Sequence, residues 1–417
     1  MRRSASAAIT VLLGAAGCGR SGHPAAPRST ATRDSAGIHI VEDHAALWTA
    51  GQAWSVDSLL LDLGAPDGEF QGFTAPVAMT RLSDGRIVVA DAGAARLDFF
   101  TRDGHFLYHV GSAGRVPGQF QSLWGVFAGA ADTVVAYDLA ASRVTVFDPN
   151  GALVDTLTLP VPAGSIGYLP LGRSATGEFT LLRSETPVPF PGRPWTVAVD
   201  TGLVVRFSGA GMPLDSIGPL PVGELVGLPA PQAGGGTVTL PIDRPLGRKA
   251  GFVVRGDTVW VGTGADPALT EYVGGRPARI VRMPGALTIV PESLVAEFKR
   301  RRRALRGPLG VIDSTFNASL DSIPFSDYLP AYGRILGDPP GDLWVQSAGL
   351  PDLAPGDAAL TWSVLAPDGR WLGQVALPAR FTVREVGADY LLGSWLPDSG
   401  GAEHVRLYRL TKPVGGP

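Results

Sequence analysis

Two pairs of opposite charge recur at one spacing. Asp91 is followed five residues later by Arg96, and Asp138 by Arg143, with the two pairs 47 residues apart. A carboxylate and a guanidinium held side by side can grip a polar ligand of mixed charge, or they can pin a turn through charge-assisted hydrogen bonds. Tyr137 precedes the second aspartate and Arg115 lies in the loop between the copies. If this region faces a ligand, Asp91, Arg96, Arg115, Tyr137, Asp138 and Arg143 are the residues expected to cluster there. His105 and His109, four residues apart on a strand, stand about 13 Å from each other and cannot share a metal directly. His39, His44 and His404 meet only if the two ends of the chain do. No glycine-framed serine, phosphate-cradling glycine loop or zinc-binding helix motif is present.

These pairs sit in a repeat that must position them. Gly64 and Gly111 open two copies, and each copy holds a β-branched run, a polar turn, a second apolar run, an Asp/Asn-Gly turn and a third run. A repeat of roughly 40–50 residues built from strands is the signature of a β-propeller. The composition agrees: 55 Gly, 36 Pro and only 18% charged residues in 417 suit many short strands joined by tight turns. The formal charge of −3 gives no electrostatic reason to expect nucleic acid.

Taken in order, residues 1–18 read as a secretory signal: Arg2 and Arg3 precede an apolar stretch too short to span a bilayer. Cys18, the only cysteine, follows Ala15, Ala16 and Gly17. Residues 19–35 read as a flexible tether, and residues 36–417 as one domain. Six blades are expected, at about 76–110, 124–157, 166–217, 251–283, from 331, and 381–410. The last lacks a fourth strand, which residues 54–63 supply, closing the ring without an exposed sheet edge. The run at 38–41 has no fixed place. One short helical insertion is expected at about 291–306, opened by Pro291 and Glu292. It carries the basic run 299–303, either an anion-binding patch or a solvated helix end that complements the dipole.

The run Val88-Val89-Ala90-Asp91, with Arg96, Phe99, Phe100, Asp103 and Gly104 and the loop from Gly111 to Phe120, resembles NHL repeats. The chain as a whole is similar to bacterial six-bladed β-propeller lipoproteins. That resemblance implies an extracytoplasmic protein, tethered to a bacterial membrane through acylated Cys18, in which the repeated Asp and Arg usually hold the turn between second and third strands.

In such a fold the expected insertions gather on one face. Residues 183–194, 346–360 and 396–401 enlarge loops between second and third strands, while 111–122, 219–246 and 291–306 enlarge crossovers between blades. Variable loops on a rigid scaffold present binding surfaces. The expectation is a non-enzymatic binding module, without cofactor, that holds a protein, peptide or glycan on its loop-rich face. The alternative is a metal-dependent hydrolase or lactonase resembling six-bladed propellers that hold calcium in the channel. Calcium takes six to eight oxygen ligands, and the innermost strands are poor in them, with Glu385 the one carboxylate in 381–385 and only Asn150 and Asn317 in the whole chain.

Overall fold

In this computed structural model the described residues are 29–49, 51–162, 167–174, 176–186, 190, 193–232, 234–304, 311–347, 359–397 and 401–413. The expected signal segment and Cys18 lie outside them. The described chain is almost entirely β, with two α-helices, and its strands form six mainly antiparallel sheets.

The first sheet holds Pro76–Arg81, Ile87–Asp91, Arg96–Phe100 and Phe106–Val110, and the second holds Leu123–Ala128, Val134–Asp138, Arg143–Phe147 and Leu153–Thr158. These are the two copies of the repeat. Their last hairpins need glycine at the turn: Gly151 has φ +86°, and a Cβ there would meet Val110 Cγ1 at 2.7 Å. The third sheet runs through Tyr168–Arg173, Phe179–Ser184, Val197–Phe207, Pro213–Pro231 and Thr237–Asp243. Residues 219–246, expected as a crossover loop, therefore mostly continue the sheet as a long hairpin.

The fourth sheet contains Gly251–Arg255, Thr258–Gly262, Ala268–Val273 and Arg276–Arg282, and takes two further strands from the N-terminal side. Ile38–Asp43 pairs in parallel with Arg276–Arg282, and Thr30–Ser35 pairs outside it. This places the run at 38–41, and it turns the end of the expected tether into sheet. The fifth sheet is Tyr332–Gly337, Leu343–Ser347, Thr361–Leu365 and Trp371–Ala376. The sixth is Phe381–Val386, Tyr390–Trp395 and His404–Thr411, with Ser55–Leu63 antiparallel to the last of these.

The first strands of the six sheets stand side by side in chain order, and the first strand of the sixth sheet touches that of the first. An apolar cluster fills each junction. Val88, Leu97 and Phe99 meet Val126 and Val134 between the first two sheets, and Trp344 and Trp362 meet Phe381 and Leu391 between the fifth and sixth. Met79 and Ile87 meet Leu392 and Val405 between the sixth and the first. Residues 44–49 strap the outside: Leu47 and Trp48 donate backbone hydrogen bonds to the Trp371 and Leu372 carbonyls. Trp54 then bridges Trp48 and Trp344, with ring centroids 5.1 and 5.8 Å away.

The helices are α1, Glu292–Ala304, and α2, Val311–Ala318, the second of which the sequence reading missed. Their aromatic contact is Phe298 with Phe316, at 6.4 Å. The basic run is spent on acids: Arg300 and Arg301 on Glu297, Arg302 on Asp313, and Lys299 and Arg303 on Asp321. Glu297 is held down to about 2 by Arg300 and Arg301.

Candidate functional site

The six residues expected to face a ligand do not form a pocket. Asp91 is fully buried and accepts backbone hydrogen bonds from Thr74 at 2.8 Å and Ala75 at 2.7 Å. Asp138, equally buried, accepts from Gln121 and Ser122 at 2.7 and 3.0 Å. Each repeat thus uses its aspartate to fasten the incoming loop, whose N–H groups would otherwise be buried without partners. Arg143 donates to the backbone oxygens of Arg115 and Gln119, and Arg96 pairs with buried Asp98 at 2.8 Å. Tyr137 donates its hydroxyl to the Tyr168 carbonyl at 2.8 Å. Of the set only the Arg115 side chain is exposed.

The histidines do not assemble either. His39 meets Asp34 at the edge of the fourth sheet, whereas His404 meets Asp62 in the sixth. Among the described residues no group of three or more His, Cys, Asp or Glu side chains is arranged to hold a metal.

A concavity lies elsewhere. A cavity of about 1000 Å³ lies where the six first strands meet, and its lining carries five arginines: Arg81, Arg173, Arg255, Arg334 and Arg384. Two devices place them. Arg81, Arg173 and Arg255 are each the last residue of a first strand, paired with Ile87, Phe179 and Thr258 beside the turn into the second strand. They form a basic rim at the tight-turn mouth. Arg334 and Arg384 sit at β-bulges, where the ladder skips from Tyr332 to Ile335 and from Val383 to Glu385. A bulge leaves its extra residue out of the pairing and re-aims its side chain. The same device at Leu123/Gly125 and Pro76/Ala78 brings Trp124 and Val77 into the lining.

Each arginine is oriented by its surroundings. Arg81 lies over the Tyr390 ring at 4.7 Å, and Arg173 over Phe179 at 5.3 Å. Neither forms a salt bridge with a described carboxylate, and burial pulls the Arg173 pKa down. Arg255 donates to the Asp338 and Asp342 carbonyls at 2.5 and 3.2 Å. Arg334 donates to the Val383 carbonyl at 2.9 Å, tying the fifth first strand to the sixth.

Only two carboxylates line the cavity among the described residues. Asp338 is spoken for, accepting from the Asp342 N–H at 2.8 Å and from Lys412 at 3.3 Å. Glu385 joins the sixth sheet to the first: it accepts from the Tyr390 hydroxyl at 2.5 Å, the Thr80 hydroxyl at 2.7 Å and the Arg81 N–H at 3.2 Å. Burial outweighs these bonds and raises its pKa. Among the described residues the lining thus holds five arginines and two acids, and the rim arginines Arg81 and Arg173 have no carboxylate paired to them, in a chain whose own net charge is −3. Such a lining attracts anions and repels bare cations.

These arginines are not among the residues expected at a site, which lie in the repeat and its loops. The available signal was an arginine directly before a glycine-bearing turn, at Arg81, Arg173 and Arg255. The bulges that aim Arg334 and Arg384 had no such mark.

No protein-family model matches the sequence, and no curated protein does. Several solved structures are similar to this chain over most of its length at low identity. A member of the DUF4221 family from Bacteroides vulgatus is 11% identical, with a TM-score of 0.49 over 86% of this chain and 98% of that one. A candidate exported protein of Bacteroides fragilis is 12% identical, with a TM-score of 0.47 over 89% and 99%. A streptogramin B lyase is 10% identical, with a TM-score of 0.40 over 84% and 96%.

Proposed function

We propose that this chain is an extracytoplasmic six-bladed β-propeller that binds a small anionic ligand in its central channel, as a binding module and not as an enzyme. The six sheets with consecutive first strands, the apolar cluster at each junction and the pairing of Ser55–Leu63 with His404–Thr411 support the closed ring. The observation that carries the ligand class is the rim of Arg81, Arg173 and Arg255 at the tight-turn mouth of the cavity, set against a net-negative chain. The site moves from the loop-rich face to the channel, and Asp91, Asp138 and Arg143 become its scaffold. The metal-dependent hydrolase reading is disfavoured by the same rim arginines, which a divalent cation would have to pass. In this reading residues 1–18 are the signal, Cys18 carries the lipid, the tether ends near residue 28, and the domain begins with Thr30–Ser35.

The test is calorimetric titration of the protein with citrate and with inorganic phosphate at low ionic strength. Binding at one site is expected, weakened at least tenfold by Arg81→Ala with Arg173→Ala and by raised salt. Binding unchanged in that double variant, or no binding of either anion, contradicts the proposal.

A further inference from the structure

A second crevice, of about 220 Å³, lies between the fourth and fifth sheets. One wall is Pro267 with Met283, Pro284 and Gly285, where the chain leaves the fourth sheet. The other is a face of the fifth sheet. Val345 stands opposite Ser363, and Ser363 opposite Gln374, so the three share that face with Cβ atoms about 4.5–5.5 Å apart across each pair. Ser347, two residues beyond Val345, lies on the same side, opposite Tyr332. The Trp371 indole donates to the Gly373 carbonyl at 3.0 Å, which turns it along its strand toward Gln374. Met283 and Trp371 pack on the apolar junction of the two sheets and stay partly exposed.

The lining is uncharged. Among the described residues it holds no Asp, Glu, Lys, Arg or His, and its one tyrosine, Tyr332, is already engaged, donating to the Ala268 carbonyl at 2.9 Å and accepting from the Gly264 N–H at 3.2 Å. The other polar side chains are available. Ser347 accepts the Thr361 hydroxyl at 2.9 Å and keeps its own proton to give, while Ser363 and the exposed Gln374 have no side-chain hydrogen bond to any described residue. Hydroxyls and a carboxamide both donate and accept. An ion entering here would lose water without gaining a counter-charge, and a wholly apolar molecule would cover these groups without pairing them. A sugar ring meets both demands, with hydroxyls at its edge and C–H groups on its faces to cover the indole. The volume falls below the roughly 300–1,000 Å³ of sites that enclose a drug-sized ligand, so it suits a single ring.

We infer that this crevice binds one neutral sugar ring, the end residue of a glycan, with its hydroxyls on Ser347, Ser363 and Gln374 and a C–H face against Trp371. The site is separate from the channel and does not depend on the anion-binding reading.

The test is saturation-transfer NMR on the full chain with the methyl glycosides of glucose, galactose, mannose and N-acetylglucosamine, and with cyclohexylmethanol as an apolar ring of similar size. At least one glycoside is expected to receive saturation, and more strongly than cyclohexylmethanol. Ser363→Ala with Gln374→Ala, both outside the apolar cluster, is expected to weaken that glycoside about fivefold or more. Arg81→Ala with Arg173→Ala and added inorganic phosphate are expected to leave it unchanged. No transfer to any glycoside, equal or stronger transfer to cyclohexylmethanol, or glycoside binding unmoved by the Ser363 and Gln374 substitutions overturns the inference. Glycoside binding lost in the Arg81 and Arg173 variant or displaced by phosphate also overturns it, by placing the sugar in the channel. None of these results bears on whether the channel binds citrate or phosphate, so the two readings fail separately.

Discussion

Glu385 is an acid among arginines, and its titration should be felt by any anion that enters. Tyr390, Thr80 and Arg81 face it from its own and the adjoining strands. Its pKa is raised by burial, so acidification neutralises it earlier than an exposed glutamate. Protonation removes a negative charge from the lining, and anion affinity should therefore rise as pH falls. Calorimetry across a pH series should show that slope in the native protein and a flatter one in Glu385→Gln; equal slopes would exclude Glu385 as its source. Asp98 provides a separate readout, on stability. Fully buried beside Arg96, it is raised to about 6 from an ordinary value of 3.8. The folded state then holds its proton more tightly than the unfolded state, so stability falls as pH rises between about 4 and 6 and is level above. The linkage amounts to roughly 3 kcal/mol. Denaturant titrations of the native protein and Asp98→Asn should differ by that slope, and parallel pH curves would contradict it. At this scale the sequence was legible where a residue served the repeat. Asp91 and Asp138 stood out because every copy must fasten its loop, which made them scaffold.

Elements were legible to the extent that their local chemistry was ordinary. The first two sheets follow alternating apolar runs with glycine turns, and α1 follows its opening proline and acid. The strand Pro213–Pro231 was not, because Pro219, Pro221, Pro229 and Pro231 argue against a central strand. It survives because Pro221 pairs on one side only, with Val197–Phe207, because Pro229 and Pro231 pair only with Thr237–Asp243, and because Pro219 falls at the register shift of Gly202/Val204, with a further shift at Asp200/Thr201. The strap of residues 44–49 had no periodicity to reveal it. Its contact with the fifth sheet depends on Gly373, where a Cβ would come within 2.2 Å of the Trp48 ring. Gly373→Ala is therefore expected to cost about 1–3 kcal/mol by overpacking. Trp344→Ala should cost about 3–5 kcal/mol, since Trp344 is fully exposed to the core and not to water. Chemical denaturation checks both, and a Gly373→Ala protein as stable as the native one would show that the strap yields freely.

At the scale of the molecule, the six sheets were legible because runs of similar length recur and the last sheet lacks a strand that the N-terminal side supplies. The cavity was not legible, because its character comes from single positions on separate strands, several of them aimed by bulges. Charge is the property that appears only on assembly: a chain with a net charge of −3 gathers five arginines around one cavity. The central claim is that this cavity attracts anions, and the most direct test is anomalous diffraction from crystals soaked in bromide. The account predicts that the strongest bromide peaks lie in the channel, beside Arg81, Arg173 or Arg255. Bromide confined to the outer surface, with the channel free of it, would contradict the account.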